Sequence, residues 1–257
     1  MRAIEVDRVS FAYGTGKVDV LDGISLTCEK GSVNALIGLN GCGKTTLIKV
    51  MAGLEIPRSG AVRHSGRNLI DMDFRERSRA LSYVKQSHAS LSDYTVRDYL
   101  LFGTVNRLDL FDSPGREEKE RVESLVEEFG IQHLYRKNLG ELSGGERQIV
   151  SICSAMVQDS DAVLLDEPCS ALDMANQERV LAILRSIADG GKTIFFSTHN
   201  PNHALRTDAH VFLMKSGKVI DSGDSREVVT PERLRPIYGD KICYSRDLPY
   251  EEVSFRR

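Results

Sequence analysis

An α/β fold built on a mostly parallel sheet is the class this sequence predicts, and three observations carry the prediction. Short apolar runs alternate with helix-like segments along most of the chain. A glycine-rich loop sits between one of those runs and a helix. The stretch between Tyr94 and Gly140 turns helical in texture. Strands separated by helices pair in parallel, because each helix carries the chain back to the end of the sheet where the previous strand began.

The elements follow in order. Ala3–Val9 alternates apolar and charged residues, Val18–Cys28 mixes apolar and turn residues, and both read as strands. Val33–Ile37 is an apolar run leading into the glycine loop, and Thr45–Ala52 reads as the helix after it. Arg116–Phe129 sets Val122, Leu125, Val126 and Phe129 at i, i+3, i+4 and i+7, one apolar stripe on a charged helix. Ser143–Val157 is a further helix, with Ser143 and Glu146 at capping-box spacing. Ala162–Leu165 is a buried strand that runs into Asp166-Glu167-Pro168. A helix over Gln177–Ala188, strands at Thr193–Ser197, Val211–Met214 and Lys218–Asp221, and a helix near Thr230–Tyr238 complete the reading. No internal repeat or low-complexity linker appears.

Composition narrows the function. Net charge is −3, so no overall basic bias favours nucleic acid as the main partner. The five cysteines are an odd number with no C-x-x-C pair, which reads as small packing residues in a reducing compartment rather than a disulfide framework or zinc site. The N-terminus lacks the apolar core of a signal peptide, and no run approaches the roughly 18 apolar residues of a membrane span. If the protein serves a membrane process, another chain is expected to supply the membrane part.

Gly38-Leu39-Asn40-Gly41-Cys42-Gly43-Lys44-Thr45 matches G-x-x-x-x-G-K-[ST], followed by Thr46. The glycines let backbone N–H groups wrap phosphates, and the following helix adds its positive end. Lys44 is placed to reach the β- and γ-phosphates, and the Thr45 hydroxyl to coordinate Mg²⁺. Asp166, after four apolar residues, is the natural carboxylate for the Mg²⁺ site. Glu167 is expected to point the other way, since neighbouring side chains alternate off a strand end, and so to polarise an attacking water. Ser143-Gly144-Gly145 opens a helix with a hydroxyl and bare N–H groups, a second anion site in a chain that already has one phosphate cradle. Two such starts and one nucleotide to share imply a site formed between two copies of the protein.

Leu142-Ser-Gly-Gly-Glu-Arg-Gln148, downstream of the phosphate loop, resembles the signature of the ATP-binding subunit of an ABC transporter. The resemblance implies a P-loop NTPase core (1–86 and 158–240), an N-terminal antiparallel β subdomain, a helical insert at about 87–157 and a short tail at 241–257. It implies ATP and Mg²⁺ as cofactors. It places Gln86 on Mg²⁺ and the attacking water and at the hinge of the insert, His199 on the γ-phosphate, and Tyr13 against adenine. Ser170-Ala-Leu-Asp173 is similar to the family's loop that crosses the dimer interface. The rival reading of Asp173 is a plain helix cap, and that of His199 is a metal pair with His203, against which Pro201 argues. The six motifs run in the family's order from Tyr13 to His199.

Further segments resemble the branch that imports iron chelates, haem and cobalamin. They are Val84-Lys-Gln-Ser-His88, Tyr94-Thr-Val-Arg-Asp98, Asn176-Gln177, Thr198-His-Asn-Pro-Asn-His203 and Val228-Val-Thr-Pro-Glu232. The implied partners are a second copy of the chain, a membrane permease docking near the Gln86–Gly140 insert, and indirectly a substrate-binding protein, with no nucleic acid. The implied place is the cytoplasmic face of the membrane, held peripherally. Leu39, Lys85, Ser154 and Cys169 depart from the family's usual residues. The rival activity is a soluble ABC-type ATPase acting in cofactor assembly or on nucleic acid and ribosomes. Such proteins usually carry coiled-coil insertions or paired cassettes, and this chain carries one compact cassette.

Overall fold

In the computed structural model the described residues are 1–14, 18–85, 92–108, 112–240, 242–245 and 252–255. The chain opens on two antiparallel strands, β1 (Arg2–Phe11) and β2 (Leu21–Glu29), then β3 (Val33–Ile37), the glycine loop and α1 (Lys44–Met51). A hairpin of β4 (Ser59–His64) and β5 (Arg67–Asn68) joins the first two strands in a four-stranded sheet ordered β2-β1-β4-β5. The antiparallel N-terminal sheet implied by the resemblance is therefore present, and β4 and β5 belong to it although neither alternates clearly in sequence.

After α2 (Phe74–Ala80) and β6 (Leu81–Val84), the chain turns helical through α3 (Val96–Phe102), α4 (Arg116–Glu128) and α5 (Gly144–Gln158). It returns through β7 (Ala162–Leu165), α6 (Met174–Asp189), β8 (Thr193–Thr198), the short α7 (Asn202–Arg206), β9 (His210–Lys215) and β10 (Lys218–Asp224). α8 (Ser225–Val228), α9 (Pro231–Tyr238) and a hairpin of β11 (Ile242–Ser245) and β12 (Glu252–Phe255) close it. The main sheet is ordered β10-β9-β3-β8-β7-β6, parallel except for β10, which folds back on β9.

Side-chain alternation explains the layering. Ala35 and Ile37 of β3, with Ile194 and Phe196 of β8, face a core shared with α5 and α6. Leu36 and Phe195 face the opposite core, shared with α1 and the antiparallel sheet. A parallel sheet covered on both faces needs apolar residues at every position, as Ala162–Leu165 shows. Val122, Leu125 and Val126 of α4 join the first core together with Ile149 and Ile152 of α5, so the helical stretch is anchored on the sheet.

Candidate active site

The parallel register brings the sites together. Ile37 pairs with Thr198, Leu165 with Phe196, and Val84 with Leu165, so β3, β8, β7 and β6 end side by side at one edge of the sheet. Carboxyl edges of parallel strands are where α/β folds gather ligands. Gly38 begins the loop at close quarters: a Cβ there would lie 2.6 Å from the Met214 carbonyl oxygen. Gly43, at φ +111°, brings no side chain to the start of α1 and leaves its first N–H groups facing a cleft of about 330 Å³. Val20, Asn40, Gly41, Lys44, Thr45 and Glu167 line that cleft.

Lys44 is 5% exposed and donates from Nζ to the carbonyls of Gly38 (2.8 Å) and Leu39 (3.2 Å). The same Nζ lies 3.2 Å from Oε1 of Glu167. The other oxygen, Oε2, meets Nδ1 of His199 at 3.0 Å. One carboxylate thus bridges the buried lysine and an exposed imidazole. Thr45 is exposed at the cleft, while Thr46 is buried and shares a 3.2 Å hydrogen bond with the Tyr13 hydroxyl. Tyr13 stands edge-on to Phe11 with its ring about half exposed, free to offer a face.

Asp166 meets Ser197, whereas the Glu167 carboxylate meets Lys44 and His199. β7 ends at Leu165, and Glu167 takes φ +48°, a left-handed conformation rare outside glycine. That turn aims its side chain, where simple strand alternation was the expectation. Ser197, whose hydroxyl the sequence did not single out, holds the pair. It donates to Asp166 Oδ1 at 2.7 Å and accepts from the Glu167 N–H at 2.9 Å. Its signal was a polar residue at the end of the apolar run Ile194-Phe-Phe-Ser197. Asp166 is buried, one residue before the cleft-lining Glu167.

His203 does not join His199. It is buried on α7, with Nδ1 2.9 Å from the Thr198 hydroxyl and Nε2 near Asn200 and Gln177. Burial, with the nearby His199, pulls its pKa down to about 4, so it sits neutral in a hydrogen-bonded network. Pro201 does not prevent a helix; it stands at the cap from which α7 begins.

Ser143 caps α5 in a full capping box. Its hydroxyl accepts from the Glu146 N–H at 3.2 Å, and Glu146 accepts from the Ser143 N–H at 2.8 Å. The N–H groups of Gly144 and Gly145 lie beyond that box. Gly145 is held by space, since a Cβ there would fall 2.5 Å from Asn176. None of Ser143, Gly144 and Gly145 lines the phosphate-loop cleft of its own chain. Asp173 caps α6 by accepting from the Asn176 N–H at 2.8 Å, which holds its carboxyl below the usual range. Ser154 and Ser151 meet the Tyr99 phenol between α5 and α3, and Cys169 is buried with its thiol pushed up to about 12. Gln86 lies outside the described residues.

A phosphate-loop helix, a capped Ser-Gly-Gly helix and a carboxylate bridging lysine and histidine define a nucleotide-hydrolysing cassette. The sequence matches the ABC transporter family model over residues 21–170, and the chain belongs to that family: it is an ATP-binding subunit, an ATPase coupled to transport. It is 30% identical to the iron(3+)-hydroxamate import ATP-binding protein FhuC of Bacillus subtilis, covering 93% of this chain and 88% of that protein. It is 34% identical to the zinc transport system ATP-binding protein TroB of Treponema pallidum, again over 93% and 88%. A solved metal-chelate type ABC transporter in an inward-facing conformation superposes with a TM-score of 0.87 at 25% identity, over 100% of this chain and 98% of that one. No helix among the described residues is long and apolar enough to cross a membrane.

Proposed function

We propose that this chain powers a metal-ligand importer as a homodimer, with two ATP molecules held between the phosphate loop of one copy and Ser143–Gly145 of the other. The observation that carries this is the Glu167 carboxylate, which bridges Lys44 and His199 at the head of an uncapped helix. An arriving γ-phosphate competes with Glu167 for Lys44, which frees one carboxylate oxygen to take a proton from water. His199, assigned to the γ-phosphate, is held beside it by its contact with the other oxygen. Phosphoryl transfer asks for such positioning and charge stabilisation more than for covalent chemistry. The Thr45 hydroxyl at the cleft and the Asp166 carboxylate are the groups whose oxygen chemistry fits Mg²⁺, which would supply charge neutralisation on the phosphates when bound. Gln86 is assigned the same neighbourhood, and Tyr13 the adenine.

The signature turn supports the dimer because it offers two N–H groups and a hydroxyl that its own chain's cleft does not use. The permease is assigned to a groove of about 520 Å³ where α2 meets α3, rimmed by the exposed Phe74, Phe102 and Val105. That groove extends the expected docking region back from the insert to Phe74. Such a partner places the chain on the cytoplasmic face of the membrane, with a substrate-binding protein across it. The relatives' names favour a metal-containing cargo, an iron chelate first, while haem and cobalamin rest on the sequence resemblance alone.

Glu167→Gln tests the mechanism. ATP binding is retained, turnover drops by about 100-fold or more, and ATP drives a dimer visible by sedimentation. Wild-type hydrolysis in this variant sinks the assignment. Uptake of iron chelates, haem and cobalamin by cells lacking the gene identifies the cargo class, with loss of uptake expected for one of them and unchanged uptake of all three counting against metal-ligand import.

A further inference from the structure

The carboxyl-terminal helix reaches the catalytic edge. Tyr238, the last residue of α9, donates its hydroxyl to the backbone carbonyl of His199 at 2.7 Å. His199 stands in the short connection between β8 and α7, where its carbonyl accepts no bond within either element. Its imidazole is half exposed and meets Glu167 from that connection. A ring in such a position is only as well placed as the backbone that carries it.

We propose that Tyr238 is a positioning residue for ATP hydrolysis, which fixes the His199 backbone so that its ring stays on Glu167. The inference rests on the assignment of His199 to the catalytic site. Two further observations support it. Burial and the nearby Cys42 and Glu167 push the phenol well above its usual pKa, so it keeps its proton and remains a donor. The terminal hairpin links the helix that carries the tyrosine to the helix that follows the histidine, with β11 against α9 and β12 against α7. β11 and β12, within the stretch 241–257 expected as a short tail, thus stand beside the two helices that flank this contact.

Tyr238→Phe removes the hydroxyl and keeps the ring. We expect kcat for ATP to fall roughly three- to ten-fold, the rate equivalent of one lost hydrogen bond, with KM for ATP unchanged and the melting temperature lower by about 2–4 °C at most. In a His199→Ala background, followed by single-turnover hydrolysis, the same substitution changes nothing, because there is no ring left to place. The ring signals of His199 in an NMR spectrum shift in Tyr238→Phe alone. Wild-type kcat in Tyr238→Phe overturns the proposal, and so does an equal fractional loss with and without His199. The two readings separate cleanly: His199→Ala with full turnover removes the catalytic role of His199 itself, whereas an impaired His199→Ala beside a normal Tyr238→Phe removes only the brace.

Discussion

Two glycine-rich helix starts, at α1 and at α5, look alike in sequence and are built in opposite ways. α1 begins on Gly43 at φ +111°, with no side chain to satisfy its first N–H groups and a buried lysine at its first position. α5 begins on Ser143 with a complete capping box, so one N–H of its first turn and that of the cap are already bonded within the chain. An uncapped start leaves orphan donors that only a ligand or water can satisfy. A capped start is stable alone and keeps the Gly144 and Gly145 N–H groups and the Ser143 O–H for a guest. The difference agrees with the proposed division of labour, in which the phosphate loop holds nucleotide in its own subunit and the signature turn closes on nucleotide held by another.

Breaking the first start has the largest effect. Lys44→Ala leaves the nearly buried Glu167 without its cation and the phosphates without theirs, and ATP affinity measured by calorimetry is expected to fall about 100-fold or more. Ser143→Arg, at the second start, is expected to leave that affinity alone and lower hydrolysis by about 100-fold. If both variants lose ATP binding equally, the two starts are not divided in this way. The glycines sharpen the comparison at smaller scale. Gly145→Ala places a Cβ 2.5 Å from the Asn176 amide, which must swing off Asp173, and is expected to cost about 1 kcal/mol in thermal unfolding. Gly144→Ala meets only Leu172, at 4.0 Å, so the fold tolerates it, and any loss of hydrolysis there reports the partner's nucleotide. A melting temperature that falls as far for Gly144→Ala as for Gly145→Ala would contradict the open space at Gly144.

The legible parts were those written in local chemistry. Val33–Ile37 and Ala162–Leu165 stand at their expected bounds because a fully buried strand must be apolar throughout. The phosphate loop, the capping box and the apolar stripe of α4 were readable for the same reason: spacing alone determines each. β4 and β5 were missed because they pair with β1 and with each other, partners set by tertiary contact rather than by a period in their own residues. α7 was masked by Pro201, which reads as a breaker and serves as a cap.

By itself the sequence determined the class of fold, the helix starts that face phosphate and the identity of the acidic pair. Backbone geometry there follows from residue type and from neighbours only a few positions away. The tertiary structure alone decided which side chains hold those groups in place. Ser197 bridges Asp166 and Glu167 from a strand thirty-one positions on, and Tyr238 reaches His199 from thirty-nine. Those contacts exist because the parallel register and the return of the C-terminal helix bring distant chain to one edge, and no local pattern encodes that distance.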